Sequence, residues 1–567
     1  MNANRRTKEL SSASSKHKAI VWIGYFSCLT TLAITPFTSF DVINVVKLFI
    51  LSIAGFWSFS YLLTEISGFK SFSTPHRALL ALGGLLAVFL FIALSSELTL
   101  GQSIYGIYGR NTGLLAYSSL LMILLAASFV ETENTLSRVY KTLLFTGTLV
   151  GAYCLIQVLG LDPIDWTTQY KPIYGTLGNP NFSSAFLGMS ASAGIVLLFW
   201  QKSILYRISI GIFLGMGFFL TLATDSWQGT IMILAAGFMA LTFQIQRKIG
   251  NKPLTISVVF VGLFGVVLGF LGMMGMGPLG SILEKSTLAI RIEYWRTAIS
   301  ALEGNLFFGV GIDGFGDLFR IYRDQKSLEV IDESVWTNSA HNVYLDFALS
   351  FGLIALLLLF AIKLIVLFVA LKHLKARQYR FDSYMGLFLA WVSYEIQAMI
   401  SINHLGVGVW GWFLTGLIFG GASLSKDSSS KNFTKAKTPS SKSNGVSEVK
   451  PLLWFTGAVI GLLVALPSFL ADSRFYASLK SERLEQIVAA TKVFPVDAYR
   501  IIYVIDLLDQ ANLDTQAAEL VEYGVTKFPT NYTLHLFRSK LPATTPENKT
   551  LSEQIMAQLN PLVDGRP

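Results

Sequence analysis

The sequence predicts an all-α fold, a polytopic membrane helical bundle of about 12–13 transmembrane helices with a large extracytoplasmic loop and a small C-terminal helical domain. Three observations support this prediction. Hydrophobic residues make up 52% of the 567-residue chain. Charged residues make up 14%, against roughly 25% in soluble domains. Apolar runs close to the roughly 20 residues that a bilayer-spanning helix needs recur along most of the chain.

The apolar runs define the predicted spans, whose ends are the least certain part of such an assignment. In chain order they are 19–36, 43–64, 78–95, 113–130, 139–160, 180–199, 205–223, 229–245, 254–276, 342–371, 384–402, 409–424 and 452–470.

The distribution of Lys and Arg predicts the topology, because cytoplasmic loops of membrane proteins are enriched in these residues. With a cytoplasmic N-terminus and alternating spans, the basic loops fall inside, and the short outer loops carry only Arg110 and Lys171. The net charge of +9 is explained by these loops, so we expect no nucleic-acid partner. The two cysteines lie in apolar runs, which excludes a disulfide framework and a cysteine zinc site.

The same topology divides the chain into regions with different expected environments. The Ser- and Lys-rich stretch before the last span is typical of a disordered linker. In the C-terminal region, Phe494-Pro495 and Phe528-Pro529 are separated by the period of a tetratricopeptide repeat (TPR). The predicted regions are a cytoplasmic basic tail (1–18), a membrane domain (19–424) with a large outer loop (277–341), a linker (425–450), a last transmembrane helix (451–470) and an extracytoplasmic, TPR-like helical domain (471–567).

Lys47, Lys363 and Glu395 are charged residues that fall within the predicted spans. Charges at membrane depth are costly and therefore suggest function. For the two lysines the simpler expectation is that their side chains extend toward a helix end and reach water.

The outer loops hold the candidate chemistry. The large loop carries Arg291, Trp295 and Arg296 on a predicted amphipathic helix, followed by the Gly-rich "GVGIDGFG" with Asp313. The loop ends with "SAHNVYLDF", where His341 precedes the next span. Basic residues outside run against the inside bias, and an anionic ligand at the outer face would explain them, since arginine bonds two phosphate oxygens at once.

Each of these features also has a simpler structural interpretation. The segment "GNPN", with Asn179 and Asn181, suits a turn and a helix N-cap. The Gly-rich segment matches no phosphate-binding loop and by itself indicates a flexible turn. A single histidine at a helix start is commonly a cap or interface residue, and for Asn342 capping is the simpler role.

Together, "GTLGNPN", "RIEYWRTAISALEGNLFFGVGIDGFG", "AHNVYLDFALSFGLI" and "INHLGVGVWGWFLTG" closely resemble the O-antigen ligase and polymerase superfamily of bacterial integral membrane glycosyltransferases. The resemblance covers roughly residues 19–424. It implies a donor glycan on undecaprenyl pyrophosphate at the outer face of the cytoplasmic membrane. The acceptor would be a lipid core sugar, a second lipid-linked glycan or a protein hydroxyl, with no cofactor, metal or nucleotide sugar.

The resemblance also assigns residues. His341 matches the histidine proposed as general base, and Arg291 matches the arginine for the pyrophosphate. Histidine titrates near neutral pH, which suits proton removal, and arginine suits an anionic leaving group. The residues that we further expect to contact substrate are Arg110, Arg296, Asn179, Asn181, Trp295, Asp313 and Asn342.

The chain departs from its relatives in the short outer loop near 224–229, where they often carry an arginine. Here the loop reads "TDSWQGT", with Trp227 and Gln228. Arg110 or Arg296 would then supply the missing charge, or fewer groups would hold the phosphates.

Several functions are compatible with these features. A ligase, a polymerase and a protein O-oligosaccharyltransferase differ only in their acceptor, and the sequence does not separate them. A transporter of lipid-linked sugars predicts internal repeats and a charged central cavity, whereas the polar features here cluster on one face. A structural assembly protein would not need so many spans.

Overall fold

The structure is a computed structural model that describes residues 2–66, 72–96, 98–166, 173–200, 203–274, 276–278, 280, 286–424 and 446–564. Most of the predicted linker 425–450 lies outside these residues, as do Lys171 and part of the predicted outer loop 277–341. Within them the chain forms helices and no strands.

The membrane part and the outer loop consist of α1 (Asn2–Leu32), α2 (Asn44–Glu65), α3 (Thr74–Ile92), α4 (Leu100–Tyr105), α5 (Leu114–Ala127), α6 (Glu133–Val158), α7 (Pro180–Trp200), α8 (Ile204–Ala223), α9 (Trp227–Lys248), α10 (Lys252–Met273), α11 (Ser286–Glu303), α12 (Phe315–Tyr322), α13 (Gln325–Val330), α14 (Val343–Ala376), α15 (Ser383–Ala398), α16 (Leu405–Gly421) and α17 (Val446–Ser481). The C-terminal helices are α18 (Leu484–Thr491), α19 (Ala498–Gln510), α20 (Asp514–Lys527), α21 (Tyr532–Lys540) and α22 (Pro546–Leu559).

Every predicted span overlaps one of these helices, so the prediction of an all-α polytopic membrane bundle is confirmed. Among the described residues, nine helices are long and apolar enough to cross a membrane. Helices α5 and α16 are apolar but shorter, with 14 and 17 residues. Helices α1 and α15 cover the two remaining predicted spans.

Small residues let the helices at the centre of the bundle approach closely. At the α2–α17 contact, the Ser52 hydroxyl donates to the Gly461 carbonyl at 2.8 Å. A Cβ atom at Gly461 would lie 2.5 Å from the Ser52 carbonyl oxygen. Close backbone approach of this kind is a usual way for membrane helices to associate, since lipid gives no hydrophobic drive between them.

Helix α14 is broken at Gly352, whose φ of 85° and ψ of 166° are not helical. The outer loop fills the break: the Val310 amide donates to the Leu349 carbonyl at 2.6 Å, and the Leu353 amide donates to the Leu306 carbonyl at 2.7 Å. Backbone groups freed by the break are thus bonded within the protein, as a membrane environment requires. The predicted continuous span 342–371 is therefore two helices joined by a glycine.

Lys47 is buried, Lys363 and Glu395 are half-buried, and all three have polar partners within the protein. The Lys47 ammonium donates to the carbonyls of Thr30, Thr31 and Ala33 at 2.9–3.0 Å, which satisfies the C-terminal end of α1. Lys363 forms an ion pair with Glu395, which also accepts from Tyr344. The expectation that the lysines reach water is wrong for Lys47, which is fully buried against the end of α1, whereas Lys363 has an acidic partner in Glu395.

Contacts between loops group the segments on one side of the bundle as the charge pattern predicts. Arg377 pairs with Glu133 at 3.1 Å, and Lys450 pairs with Glu65 at 3.4 Å. These residues lie in or next to loops assigned to the cytoplasmic side, and each ion pair joins two of these loops.

On the opposite side, the C-terminal helices pack on the outer loops. The Phe40 amide donates to Asp472 Oδ2 at 2.7 Å, and Arg323 Nη2 donates to Asn560 Oδ1 at 2.8 Å. The rings of Tyr108 and Tyr499 stack with centroids 4.6 Å apart. The C-terminal region and the outer loops therefore share one face of the molecule.

The C-terminal helices form two hairpins, α19–α20 and α21–α22, around a separate apolar core. Their first helices begin at Ala498 and Tyr532, a 34-residue offset that equals the TPR period. Asp497 and Asn531 occupy equivalent N-cap positions, and each side chain accepts from the backbone of the helix that follows.

Candidate functional site

The site begins where the outer loop enters α14. The Asn342 side chain accepts from the amides of Tyr344 and Leu345 at 3.0 and 3.2 Å, so it caps the helix as expected. The preceding residue, His341, has a φ of 54°. This left-handed conformation is uncommon for residues other than glycine and turns the chain sharply before the helix.

The buried carboxylate of Asp346, in the first turn of α14, fixes the conformation of the residues before the helix. Its oxygens accept from the Ser339 hydroxyl at 2.6 Å and the Ala340 amide at 2.8 Å. The Ser339 hydroxyl in turn accepts from the His341 amide at 2.9 Å. The backbone of His341 is thus held through two successive hydrogen bonds.

Arg110 joins Asp346 to the Gly-rich segment. Its guanidinium donates to the Asn338 carbonyl at 2.7 Å and lies 3.5 Å from Asp346 and 3.8 Å from Asp313. Arg110 is only 6% exposed, so its charge is balanced by two carboxylates within the protein. Its expected contact with substrate stays a prediction, but its observed contacts are those of a residue that positions the loop.

Asp313 is fixed by a third segment. The Thr112 hydroxyl donates to its carboxylate at 2.9 Å, and the Ile107 amide donates to Oδ2 at 3.2 Å. The Gly-rich segment is consequently attached to the loop between α4 and α5, and it is not a free turn.

The His341 side chain lies beside α11. Its ring centroid is 5.3 Å from that of Tyr294, one helical turn from Arg291. Burial, together with the positive charges of Arg291 and Arg110, lowers the pKa of His341 to about 4. The imidazole is therefore neutral at physiological pH and can accept a proton.

The hydrogen bonds of the ring favour one tautomer. Nδ1 lies 3.2 Å from the Ser339 carbonyl oxygen, which can only accept, so Nδ1 carries the proton when this bond forms. Nε2 is then the basic nitrogen, and no protein hydrogen bond to it occurs within the described part of the chain.

Arg291 differs from its neighbouring arginines. It has no ion pair with any described carboxylate, and burial lowers the pKa of its guanidinium, which stays charged. Arg296 pairs with Glu293 at 2.7 Å and with Asp324. Of the three arginines assigned to this site, Arg291 is the one whose charge the described residues leave unbalanced.

Trp295 lies next to these arginines on α11 and packs against the central apolar cluster. Its indole Nε1 is buried without a hydrogen-bond partner in the described residues. A substrate contact of Trp295 stays a prediction.

Asn179 and Asn181 form a second group at the start of α7. The Asn181 amide donates to Asn179 Oδ1 at 2.8 Å, which is the turn and cap that the sequence suggests. The Ser226 hydroxyl donates to Asn181 Oδ1 at 2.8 Å, so this group contacts the short loop that departs from the relatives. In that loop the Gln228 amide is buried and finds no partner among the described residues. The structure shows no hydrogen bond from this group to His341.

A cavity of about 1070 Å³ lies between the outer loops and the C-terminal helices. Asp313 and Asn338 line it, whereas His341 and Arg291 do not. The cluster around Arg110 therefore stands between this cavity and the histidine. In the described residues no three His, Cys, Asp or Glu side chains converge to hold a metal, and metal independence stays a prediction.

The sequence interpretation did not include Asp346, Ser339 or Tyr294, which fix or contact His341. Asp346 lies five residues after His341 in "SAHNVYLDF", and an acidic residue in an otherwise apolar helix was the available signal.

The comparison with protein families places these residues in a known domain. The O-antigen ligase family model matches residues 181–360, about a third of the chain, and this range contains Arg291, Asp313, His341 and Asp346. No curated protein sequence matches the chain. Over this range, the chain is similar to the O-antigen ligase family.

Proposed function

We propose that the protein transfers a glycan from undecaprenyl pyrophosphate to an acceptor hydroxyl at the outer face of the cytoplasmic membrane. In this proposal His341 is the general base, and Arg291 binds the pyrophosphate. The N-terminus is cytoplasmic, and the C-terminal helices lie outside. Membrane lipid surrounds the bundle, and no cofactor takes part.

The observation that carries the proposal is a neutral histidine beside an arginine that has no carboxylate partner among the described residues. Burial is the main cause of the low pKa of His341, and repulsion by Arg291 adds to it; an anionic group next to Arg291 would balance its charge and weaken this repulsion. Donor binding therefore makes His341 a stronger base at the moment when a base is needed.

The chemistry then follows in one displacement. The acceptor oxygen attacks the anomeric carbon as its proton passes to Nε2 of His341. The bond between that carbon and the pyrophosphate oxygen breaks, and its electron pair stays on the leaving undecaprenyl pyrophosphate. Arg291 stabilises the charge that develops there. Attack opposite the leaving group inverts the anomeric carbon, and retention in the product would contradict this mechanism.

The test is a transfer assay with purified protein in nanodiscs and an undecaprenyl-pyrophosphate glycan. Three acceptors are offered: a lipid core oligosaccharide, a second lipid-linked glycan and a Ser/Thr-containing peptide. The acceptor that is modified distinguishes ligase, polymerase and protein O-oligosaccharyltransferase.

His341→Ala should abolish transfer and leave the protein folded. His17→Ala, a half-buried histidine on the opposite side of the bundle, is the matched control and should retain activity. A His341→Ala variant with the wild-type rate, or movement of lipid-linked glycan across the bilayer without transfer, would refute the proposal.

A further inference from the structure

The cavity between the outer loops and the C-terminal helices has the lining of a carbohydrate site. Its volume of about 1070 Å³ is at the upper end of the roughly 300–1,000 Å³ usual for ligand pockets. Ten of its lining residues are aromatic. Aromatic rings present flat apolar faces with polar edges, and the faces of sugar rings pack on them while sugar hydroxyls bond to nearby polar groups.

Two of these aromatic residues are held in place yet remain open. The Trp336 indole donates to the Gly316 carbonyl at 2.6 Å, which fixes the ring, and the side chain is still 45% exposed. Tyr499 stacks one face on Tyr108 with an interplanar angle of 6° and is 50% exposed. Exposed aromatic side chains that line a cavity and are fixed by their own contacts are preformed surfaces for a ligand.

The charge of the lining disfavours a phosphate. Arginine is outnumbered by aspartate, since the charged lining residues are Asp165, Asp313, Asp317, Asp472, Asp497, Arg320 and Arg500. A phosphate would be repelled from this excess of carboxylates. Carboxylates accept hydrogen bonds from hydroxyl or amino groups, so the charge favours a neutral or amino-bearing saccharide.

The cavity also requires both parts of the molecule. Asp317 and Trp336 come from the outer loop, whereas Tyr499 and Tyr532 come from the C-terminal helices. The Thr530 hydroxyl donates to Asp317 at 3.4 Å, and the Arg320 guanidinium lies 4.4 Å from the centroid of the Tyr532 ring. The C-terminal hairpins therefore form one wall of the cavity, which gives this region a role in substrate binding.

We propose that this cavity binds the saccharide part of a substrate, with Trp336 and Tyr499 as stacking surfaces. This inference rests on the proposed function for the source of the saccharide, which is either the donor glycan or a glycan acceptor. The pyrophosphate would remain at Arg291, on the other side of the Arg110 cluster.

The binding test uses the full chain in nanodiscs and oligosaccharides released by mild acid from the lipid-linked glycans of the source membranes. Saturation-transfer NMR should detect binding to the wild type that inorganic pyrophosphate does not displace. Trp336→Ala and Tyr499→Ala should each weaken binding by about tenfold or more, which corresponds to about 1.4 kcal/mol. Trp336→Phe should restore part of it, because a smaller ring still stacks.

The controls separate this inference from the proposed function. Trp200→Ala removes another exposed tryptophan, outside the cavity, and should bind like the wild type. His341→Ala should bind saccharide normally although transfer is lost. If Trp336→Ala and Tyr499→Ala bind and transfer normally while His341→Ala is inactive, the cavity proposal is wrong and the proposed function stands.

Kinetics of the same variants identify the source of the saccharide. A raised KM for the lipid-linked donor assigns the cavity to the donor glycan, and a raised KM for a glycan acceptor assigns it to the acceptor. If no saccharide signal is seen, and a Ser/Thr-containing peptide binds instead and loses this binding in Trp336→Ala and Tyr499→Ala, the proposal is overturned in favour of a peptide site.

Discussion

Substitution of two arginines near His341 should have different effects on protein stability, because their surroundings differ. Arg110 is buried against Asp313 and Asp346, so Arg110→Met leaves two carboxylates buried without a counter-charge. Breaking a buried pair in this way costs about 3–5 kcal/mol. We expect Arg110→Met to lower the free energy of unfolding by an amount in this range and to reduce transfer through loss of the folded protein.

A second substitution tests the cause. Asp346→Asn keeps the shape of the side chain and an oxygen that accepts from the Ala340 amide. It also removes one of the two negative charges that Arg110→Met leaves without a counter-charge. Arg110→Met with Asp346→Asn should therefore be more stable than Arg110→Met alone by about 1–2 kcal/mol. Arg291→Met leaves no described carboxylate without a counter-charge. This variant should therefore have the same free energy of unfolding as the wild type, while its transfer activity falls.

The assay is SDS-titrated unfolding of each variant in mixed micelles, read by tryptophan fluorescence, with transfer measured on the same preparations. Wild-type stability of Arg110→Met would refute the reasoning, as would a double variant no more stable than the single one. Strong destabilisation by Arg291→Met would show that this arginine also has a structural partner.

Three further predictions follow from the described contacts. The pKa of His341 is lowered to about 4, so kcat/KM should be constant above about pH 5 and should fall as the pH drops through this pKa. Arg291→Met removes one cause of the lowered pKa. A pH profile of the residual activity of this variant should therefore show the fall at a higher pH. Gly352→Ala would place a Cβ atom 2.0 Å from the Phe307 carbonyl oxygen, at a residue whose φ is left-handed. Thermal unfolding should therefore show that the free energy of unfolding falls by about 2 kcal/mol or more. Gly84→Ala is the control: a Cβ atom there would have no atom within 4 Å, so this variant should be as stable as the wild type or slightly more stable. Asp497→Ala removes a cap of α19 and the acceptor for the Tyr108 amide, so limited proteolysis should release the C-terminal helices faster than in the wild type, and an unchanged cleavage rate would argue against this attachment.

Local patterns in the sequence predict the helices well. Apolar length marks the spans, and the two Phe-Pro pairs mark hairpins that begin 34 residues apart at Ala498 and Tyr532. His341 and Asn342 are also recognisable locally, because a polar pair at the start of an apolar run indicates a helix entrance.

The pairing of distant charges could not be predicted in the same way. Arg110 meets Asp346 across 236 positions of the chain, and Lys47 satisfies carbonyls of a different helix. Neither contact is visible as a periodic pattern in the sequence, because the partners are brought together only by helix packing. For the same reason, the sequence offered Arg110 and Arg296 as equivalents of Arg291, although only the structure shows which of them already have carboxylate partners.

In the proposed topology, the break in α14 would set the height of His341 relative to the membrane. An unbroken helix of 34 residues would be about 51 Å long, well beyond the roughly 30 Å hydrocarbon core of a bilayer. After Gly352, residues 353–376 span about 36 Å, which a tilted helix accommodates. In the proposed topology, the nine residues before it would lie at the level of the lipid headgroups, with His341 at their outer end. The glycine break would then hold the proposed base level with the phosphates of a lipid carrier.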